Sequence, residues 1–180
     1  MSETPATNPR RRLLLGSLGG LTAVTAGMGA LAWWQTRPVA APAVGYVRMD
    51  GSSAQLADLR GQVVLVNFWA TTCVICRQEM PELVALHQRH AAQGYRTLAV
   101  AMQYDPPAAV VNYLADRPLP FEVVLDNTGA IARAFGDIVG TPTSLLIDRA
   151  GRIVWRHAGA PDFVALDRQV RELLAPGPAA

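Results

Sequence analysis

Lysine is missing from this sequence. All sixteen basic residues among its 180 are arginine. Cysteine is nearly missing as well, with only Cys73 and Cys76, in a single C-x-x-C. Two cysteines cannot build the several bridges that hold a disulfide scaffold together. A zinc ribbon needs a second pair, and His87, His90 and His157 show no metal-ligand spacing with the first. Arg77 follows Cys76 where covalent haem attachment requires His. No metal and no cofactor is called for. Broad positive charge is also lacking. Residues 1–37 hold Arg10, Arg11, Arg12 and Arg37 against Glu3, while the rest has twelve arginines against thirteen acids, a net of −1. The body therefore offers no cationic field for nucleic acid.

Charge is absent from Leu13 to Trp34, a run of 22 residues. At ~1.5 Å per residue a helix of that length roughly matches a bilayer core of ~30 Å. Arg10-Arg11-Arg12 precedes it, which favours a cytoplasmic N-terminus, and Trp33-Trp34 closes it where interfacial aromatics are enriched. The expectation is an N-terminal membrane-anchor helix over 13–34, preceded by a basic region over 1–12. The alternative is a secretory signal cleaved near Ala30-Leu31-Ala32. A buried helix of the domain would have no polar face and many glycines, and is set aside. Residues 35–43 read as a Pro/Ala linker, 44–175 as the domain and 176–180 as a tail.

The body alternates strand and helix patterns. Val63 to Phe68 is a short apolar β-prone run, as in a central strand. Cys76 to about Ala92 has helical periodicity through Met80, Leu83, Val84 and Leu86, ended by Gly94. Tyr95–Met102 and Phe121–Leu125 read as further strands, with a helix from Pro106-Pro107 to about Ala115 between them. A short helix over Ala130–Phe135 follows. Thr143–Ile147 and Ile153–His157 read as a hairpin around Arg149-Ala150-Gly151. Asp162 is a candidate cap for a final amphipathic helix to Leu174. This order predicts an α/β fold with a central mixed sheet, helices on both faces and a terminal hairpin.

Cys73-Val74-Ile75-Cys76 sits where the first strong strand hands over to a helix. Thiolates, not thiols, attack disulfides, and a helix N-terminus stabilises a thiolate with partial positive charge and free N–H groups. One helical turn brings the second sulfur within bonding range, so that Cys76 can resolve a mixed disulfide formed at Cys73. Cys73 is expected to be exposed and Cys76 more buried. A purely structural C-x-x-C closes too short a loop to constrain the unfolded chain much.

Asn67-Phe68-Trp69-Ala70-Thr71-Thr72-Cys73-Val74-Ile75-Cys76-Arg77-Gln78-Glu79-Met80-Pro81-Glu82-Leu83, followed downstream by Val139-Gly140-Thr141-Pro142-Thr143, resembles the two signatures of the TlpA/ResA-like thioredoxin family. The resemblance spans roughly residues 44–175 and implies a thioredoxin-like fold. It implies a thiol–disulfide oxidoreductase that reduces disulfides of extracytoplasmic proteins, apocytochrome c among the candidates, with electrons from a membrane thiol donor. It places the domain on the periplasmic side of a bacterial inner membrane, or free in the periplasm after cleavage. It also implies roles: Cys73 and Cys76 as the redox pair, Glu79 as an acid that tunes or relays protons, and Pro142 as a cis-proline after Thr141 facing the cysteines. Trp69 packs beside the pair, Pro81 kinks the helix, and Asn67 stands where cytoplasmic thioredoxins carry a buried acid. Val74-Ile75 departs from relatives that carry Pro before the second cysteine. Two other functions compete with this one. A peroxiredoxin-like peroxidase needs Thr and Pro three and seven residues before its cysteine, but Ala70 and Val66 precede Cys73 there. A copper-binding assembly factor uses a wider cysteine spacing and a distal His, for which only His157 offers itself.

Overall fold

The computed structural model describes residues 39–176. The anchor segment 13–34 lies outside them, and no helix among the described residues is long and apolar enough to cross a membrane.

Val63–Trp69 forms the central strand, labelled β4, and every one of its residues is buried. Its β-branched and aromatic side chains alternate between the two sheet faces. Val63, Leu65 and Trp69 enter one buried cluster, and Val64, Val66 and Phe68 enter the other. Asn67 falls in the register of the first set. Six strands make the sheet, in the order β1 (Val39–Ala40), β8 (Arg152–Ala158), β7 (Thr143–Ile147), β4, β5 (Tyr95–Ala101), β6 (Glu122–Leu125). Strand β4 runs parallel to β5, and β5 to β6, while β7 is antiparallel to both β4 and β8. The sheet is therefore mixed, with parallel connections made through helices.

Helix α1 (Val74–His90), α2 (Pro107–Asp116) and α4 (Phe163–Leu174) supply apolar side chains to the first cluster: Cys76, Met80, Leu83, Val110, Leu166 and Val170. The short α3 (Ala130–Ala134) packs on the opposite face through Ile131 and Ala132. Asp162 caps α4, its carboxylate accepting from the N–H groups of Val164 and Ala165. The α1 backbone gives way to a 3-10 turn, Ala91–Gln93, and then to Gly94 at φ 94°, a left-handed position that a residue with a Cβ adopts only at a cost. Pro81 lies inside α1, which continues through it to His90.

Two features differ from the sequence expectation. Within the segment 35–43 expected to be a linker, Val39 and Ala40 pair with Ile153 and Arg152 at the sheet edge. Pro/Ala composition reads as a spacer, yet Val39-Ala40 contains no proline and its backbone is free to pair. The other is a small hairpin, β2 (Gly45–Val47) with β3 (Ser53–Gln55), whose Tyr46 and Ala54 are buried against the second cluster. Tyr46 reaches across to donate its hydroxyl to Glu122 at 3.2 Å.

Candidate active site

Three loops meet at the C-terminal end of β4. The first leaves Trp69 and carries Ala70 to Cys73. The second follows β5: the Met102 N–H bonds the Trp69 carbonyl at 3.0 Å. Asp105 in that loop is 3% exposed and accepts from the Thr71 N–H at 2.6 Å and the Thr71 hydroxyl at 2.5 Å. The third loop precedes β7, whose Thr143 lies opposite Phe68. It is joined to the second by a hydrogen bond between the Tyr104 and Thr141 hydroxyls at 3.2 Å. The Thr141–Pro142 peptide is cis, and Pro142 is buried.

Cys73 is the N-cap of α1. Its Sγ accepts from the Cys76 N–H at 3.1 Å, as a Ser or Asp oxygen does at other helix starts. The helix accordingly begins at Val74, two residues earlier than periodicity alone suggests. Cys73 and Cys76 are joined as a disulfide, with Cα atoms 5.3 Å apart. The pair is asymmetric: Cys73 is half-buried, less open than expected, and Cys76 is fully buried.

A polar cluster lies within the apolar layer between α1 and the sheet. Asn67 donates from its amide to Glu79 Oε1 and to Ser144 Oγ, both at 3.0 Å. Glu79 is one helical turn beyond Cys76, a spacing that stacks side chains on one helix face. It is 4% exposed, which excludes a solvated helix residue. Glu79 Oε2, Asn67 Oδ1 and Trp69 Nε1 are buried without a partner among the described residues. Burial pushes the Glu79 carboxyl up to about 7, and the Asn67 hydrogen bond only partly opposes it. A carboxyl so placed exchanges a proton near neutral pH. Trp69 is fully buried, shares the cluster of Cys76, and packs on Tyr113 with ring centroids 5.2 Å apart.

The fold brings the expected Cys73, Cys76, Glu79, Asn67, Trp69, Thr141 and Pro142 to this end of the sheet, while Pro81 lies two residues beyond Glu79 on the exposed side of α1. Ser144 and Asp105 join them without having been expected from the sequence. Ser144 interrupts an otherwise apolar strand directly opposite Asn67, a signal readable only once the register is known. Asp105 lies just before α2, whose N-cap is Pro106 with no side-chain cap, and its carboxylate turns instead to Thr71, a partner distant in the chain.

A disulfide at a helix N-terminus, one sulfur accessible and the other buried above an ionisable carboxyl, on a sheet of this topology, defines a thiol–disulfide oxidoreductase of the thioredoxin fold. A family model described as Redoxin matches residues 38–170. The thiol–disulfide oxidoreductase ResA of Bacillus anthracis is 31% identical over 165 residues, covering 91% of this chain and 94% of that protein. ResA of Bacillus subtilis strain 168 is 32% identical over 105 residues, or 58% of each chain. Among solved structures, the thiol:disulfide interchange protein of the thioredoxin family from Chlorobium tepidum TLS superposes with a TM-score of 0.70 at 32% identity, over 77% of this chain and 98% of that one. The chain belongs to the Redoxin family, in its TlpA/ResA-like branch.

Proposed function

We propose that this oxidoreductase works as an extracytoplasmic disulfide reductase, with Cys73 attacking and Cys76 resolving. The asymmetry of the pair carries this reading. The Cys73 thiolate attacks one sulfur of a partner disulfide. A Cys73–partner S–S bond forms, and the partner's other sulfur leaves as a thiolate and takes up a proton. The Cys76 thiolate then attacks Cys73 Sγ, closing the Cys73–Cys76 bond and releasing the partner's second thiolate. The partner disulfide is reduced by two electrons and the dithiol is oxidised by two. Cys76 must lose its proton inside an apolar cluster, which is costly without an acceptor. Glu79, with Oε2 free and a carboxyl balanced near neutrality, takes that proton and returns it when a donor dithiol restores the pair. Asn67 and Ser144 hold Glu79 Oε1, and Thr141-Pro142 borders the approach to Cys73.

The substrates in this reading are disulfide-bearing extracytoplasmic proteins, apocytochrome c among the candidates. The electron source is a membrane dithiol protein. Residues 13–34 act as a single-pass anchor in a bacterial inner membrane. The uncharged run from Leu13 to Trp34, preceded by Arg10-Arg11-Arg12 and closed by Trp33-Trp34, supports that placement.

The test is trapping in cells with Cys76→Ser. Its Cys73 is expected to retain partners as mixed disulfides that dithiothreitol releases, and Cys73→Ser should retain none. Alkylation of the wild-type pair decides direction: a fraction held reduced in the cell is expected, and a pair always oxidised would sink the reductase reading.

A further inference from the structure

An open groove starts beside the disulfide, between the first turns of α1 and the end of α2. Met80 and Leu119 lie in its floor, and Val74, Arg77, Tyr113 and Arg117 form its sides. Val74 and Ile75, the two residues between the cysteines, are 56% and 49% exposed. The departure at Val74-Ile75 therefore leaves an apolar lip beside Cys73 where the groove begins. The Arg117 guanidinium carbon lies 5.3 Å from the Tyr113 ring centroid, so a cation–π contact holds it over the groove. Tyr113 in turn rests on Trp69. Burial raises the Tyr113 phenol, while the charges of Arg117 and Arg77 pull it the other way.

The charge here is one-sided. Arg48, Arg89, Arg152 and Arg171 each sit on a carboxylate. Arg77 and Arg117 have no such partner among the described residues, and no acid lines the groove. Two unpaired guanidiniums over an apolar floor, in a body with more acids than bases, complement a segment carrying an apolar residue and a carboxylate.

We propose that this groove binds the polypeptide flanking the reactive cysteine of a disulfide-bearing partner, and selects segments with Asp or Glu near an apolar residue. The inference rests on the reductase reading above and names the substrate class of the same site. A cysteine joined to Cys73 places its neighbouring residues over Val74 and along the groove. Charges at such a rim act chiefly on encounter and selectivity, and salt weakens them.

Two fluorogenic disulfide peptides test this. They are identical except that two Asp flank the apolar residue beside the cysteine in one and two Lys in the other. The full-length reduced protein is expected to reduce the Asp peptide about tenfold faster in kcat/KM at low ionic strength, converging at high salt. The ratio should fall to about twofold or less in R77Q/R117Q and return in R77K/R117K. Because the readout is a ratio on one protein, a general loss of activity cancels. Equal rates in the wild type, a Lys preference, or a ratio that survives R77Q/R117Q overturns the proposal while leaving the reductase reading intact. Failure to reduce either peptide, with the pair itself reducible by dithiothreitol, strikes the reductase reading instead. A salt-sensitive dimer lost in R77Q/R117Q, with no charge preference among peptides, assigns the groove to a second copy of the chain and also overturns the proposal.

Discussion

The two ends of α1 each meet a buried carboxylate, and the surroundings of the two push their protonation in opposite directions. Near the N-terminal end, Glu79 has one amide donor and a bare Oε2, and burial lifts its carboxyl to about 7. Near the C-terminal end, Asp167 of α4 receives His90 at 2.8 Å, Arg89 at 2.6 Å and Arg171 at 3.3 Å. Burial works against the charge there too, but the hydrogen bonds from His90 and Arg89, with Arg171 nearby, outweigh it and hold the carboxyl below the usual range. Two things separate them: Glu79 is the more deeply desolvated and has a single donor, while Asp167 is less so and has three cationic or imidazole partners. The crowded site ties α1 to α4 and has no proton to give. The under-partnered one keeps a mobile proton beneath the disulfide.

The largest effect expected from breaking this contrast is at the crowded end. Asp167→Ala leaves His90 buried without its anion and should cost about 2–4 kcal/mol at neutral pH in a denaturation midpoint. Exchange rates should stay within about twofold. The sign with pH follows from the depressed carboxyl. Its stabilisation is complete above the reference value of 3.8 and is lost as pH falls through the lower folded value, so Asp167→Ala should flatten that acid limb.

Glu79→Gln should act in the opposite direction. The folded carboxyl titrates near 7 against a reference of 4.5, so the native state binds the extra proton between those values. Wild-type stability of the oxidised form should therefore fall as pH rises from about 4.5 to 7, and Glu79→Gln should remove that slope. The variant should be more stable by roughly 2–3 kcal/mol at pH 8 and nearly unchanged at pH 4, since one pKa unit is about 1.4 kcal/mol. Its exchange rate should lose the inflection near neutral pH. A wild-type stability curve flat across this range would mean that Glu79 stays ionised and the contrast is void.

A smaller effect is expected at Asp105, which combines features of both sites: buried, but satisfied by a single residue. Asn at 105 offers one acceptor oxygen where Thr71 supplies two donors. Asp105→Asn should cost about 1–2 kcal/mol and loosen the loop before Cys73. Hydrogen exchange at the Thr71 amide should accelerate about tenfold, with the core amides of β4 unchanged.

Much of this arrangement was legible in the residues. Thr143–Ile147 was bounded correctly because β-prone Thr143 and Leu145-Leu146-Ile147 stand between the Gly140–Pro142 loop and the Arg149–Gly151 turn, and Asp162 announced its cap because its carboxylate can accept from the first N–H groups of the helix. The parts that escaped depend on distance along the chain or on short length. Strands of three residues such as Gly45–Val47 and Ser53–Gln55 contain too little alternation to register. The Asp105–Thr71 clamp joins positions 34 residues apart. The burial of Glu79 was half visible: three residues after Cys76, it had to share the cysteine's helix face. That this face looks onto Asn67 follows only from the sheet, where Asn67 alternates in phase with Leu65 and Trp69.

Strand β1 is only two residues long, yet it fixes where the polypeptide enters the domain. Val39 and Ala40 join β8 beside the Arg149–Gly151 turn, at the end of the sheet away from Cys73. Seven residues of β4 separate the two ends, a standoff of about 23 Å at ~3.3 Å per residue. The polypeptide thus enters the domain through an edge strand and the far turn, and leaves the rim around Cys73 free of its own entry point.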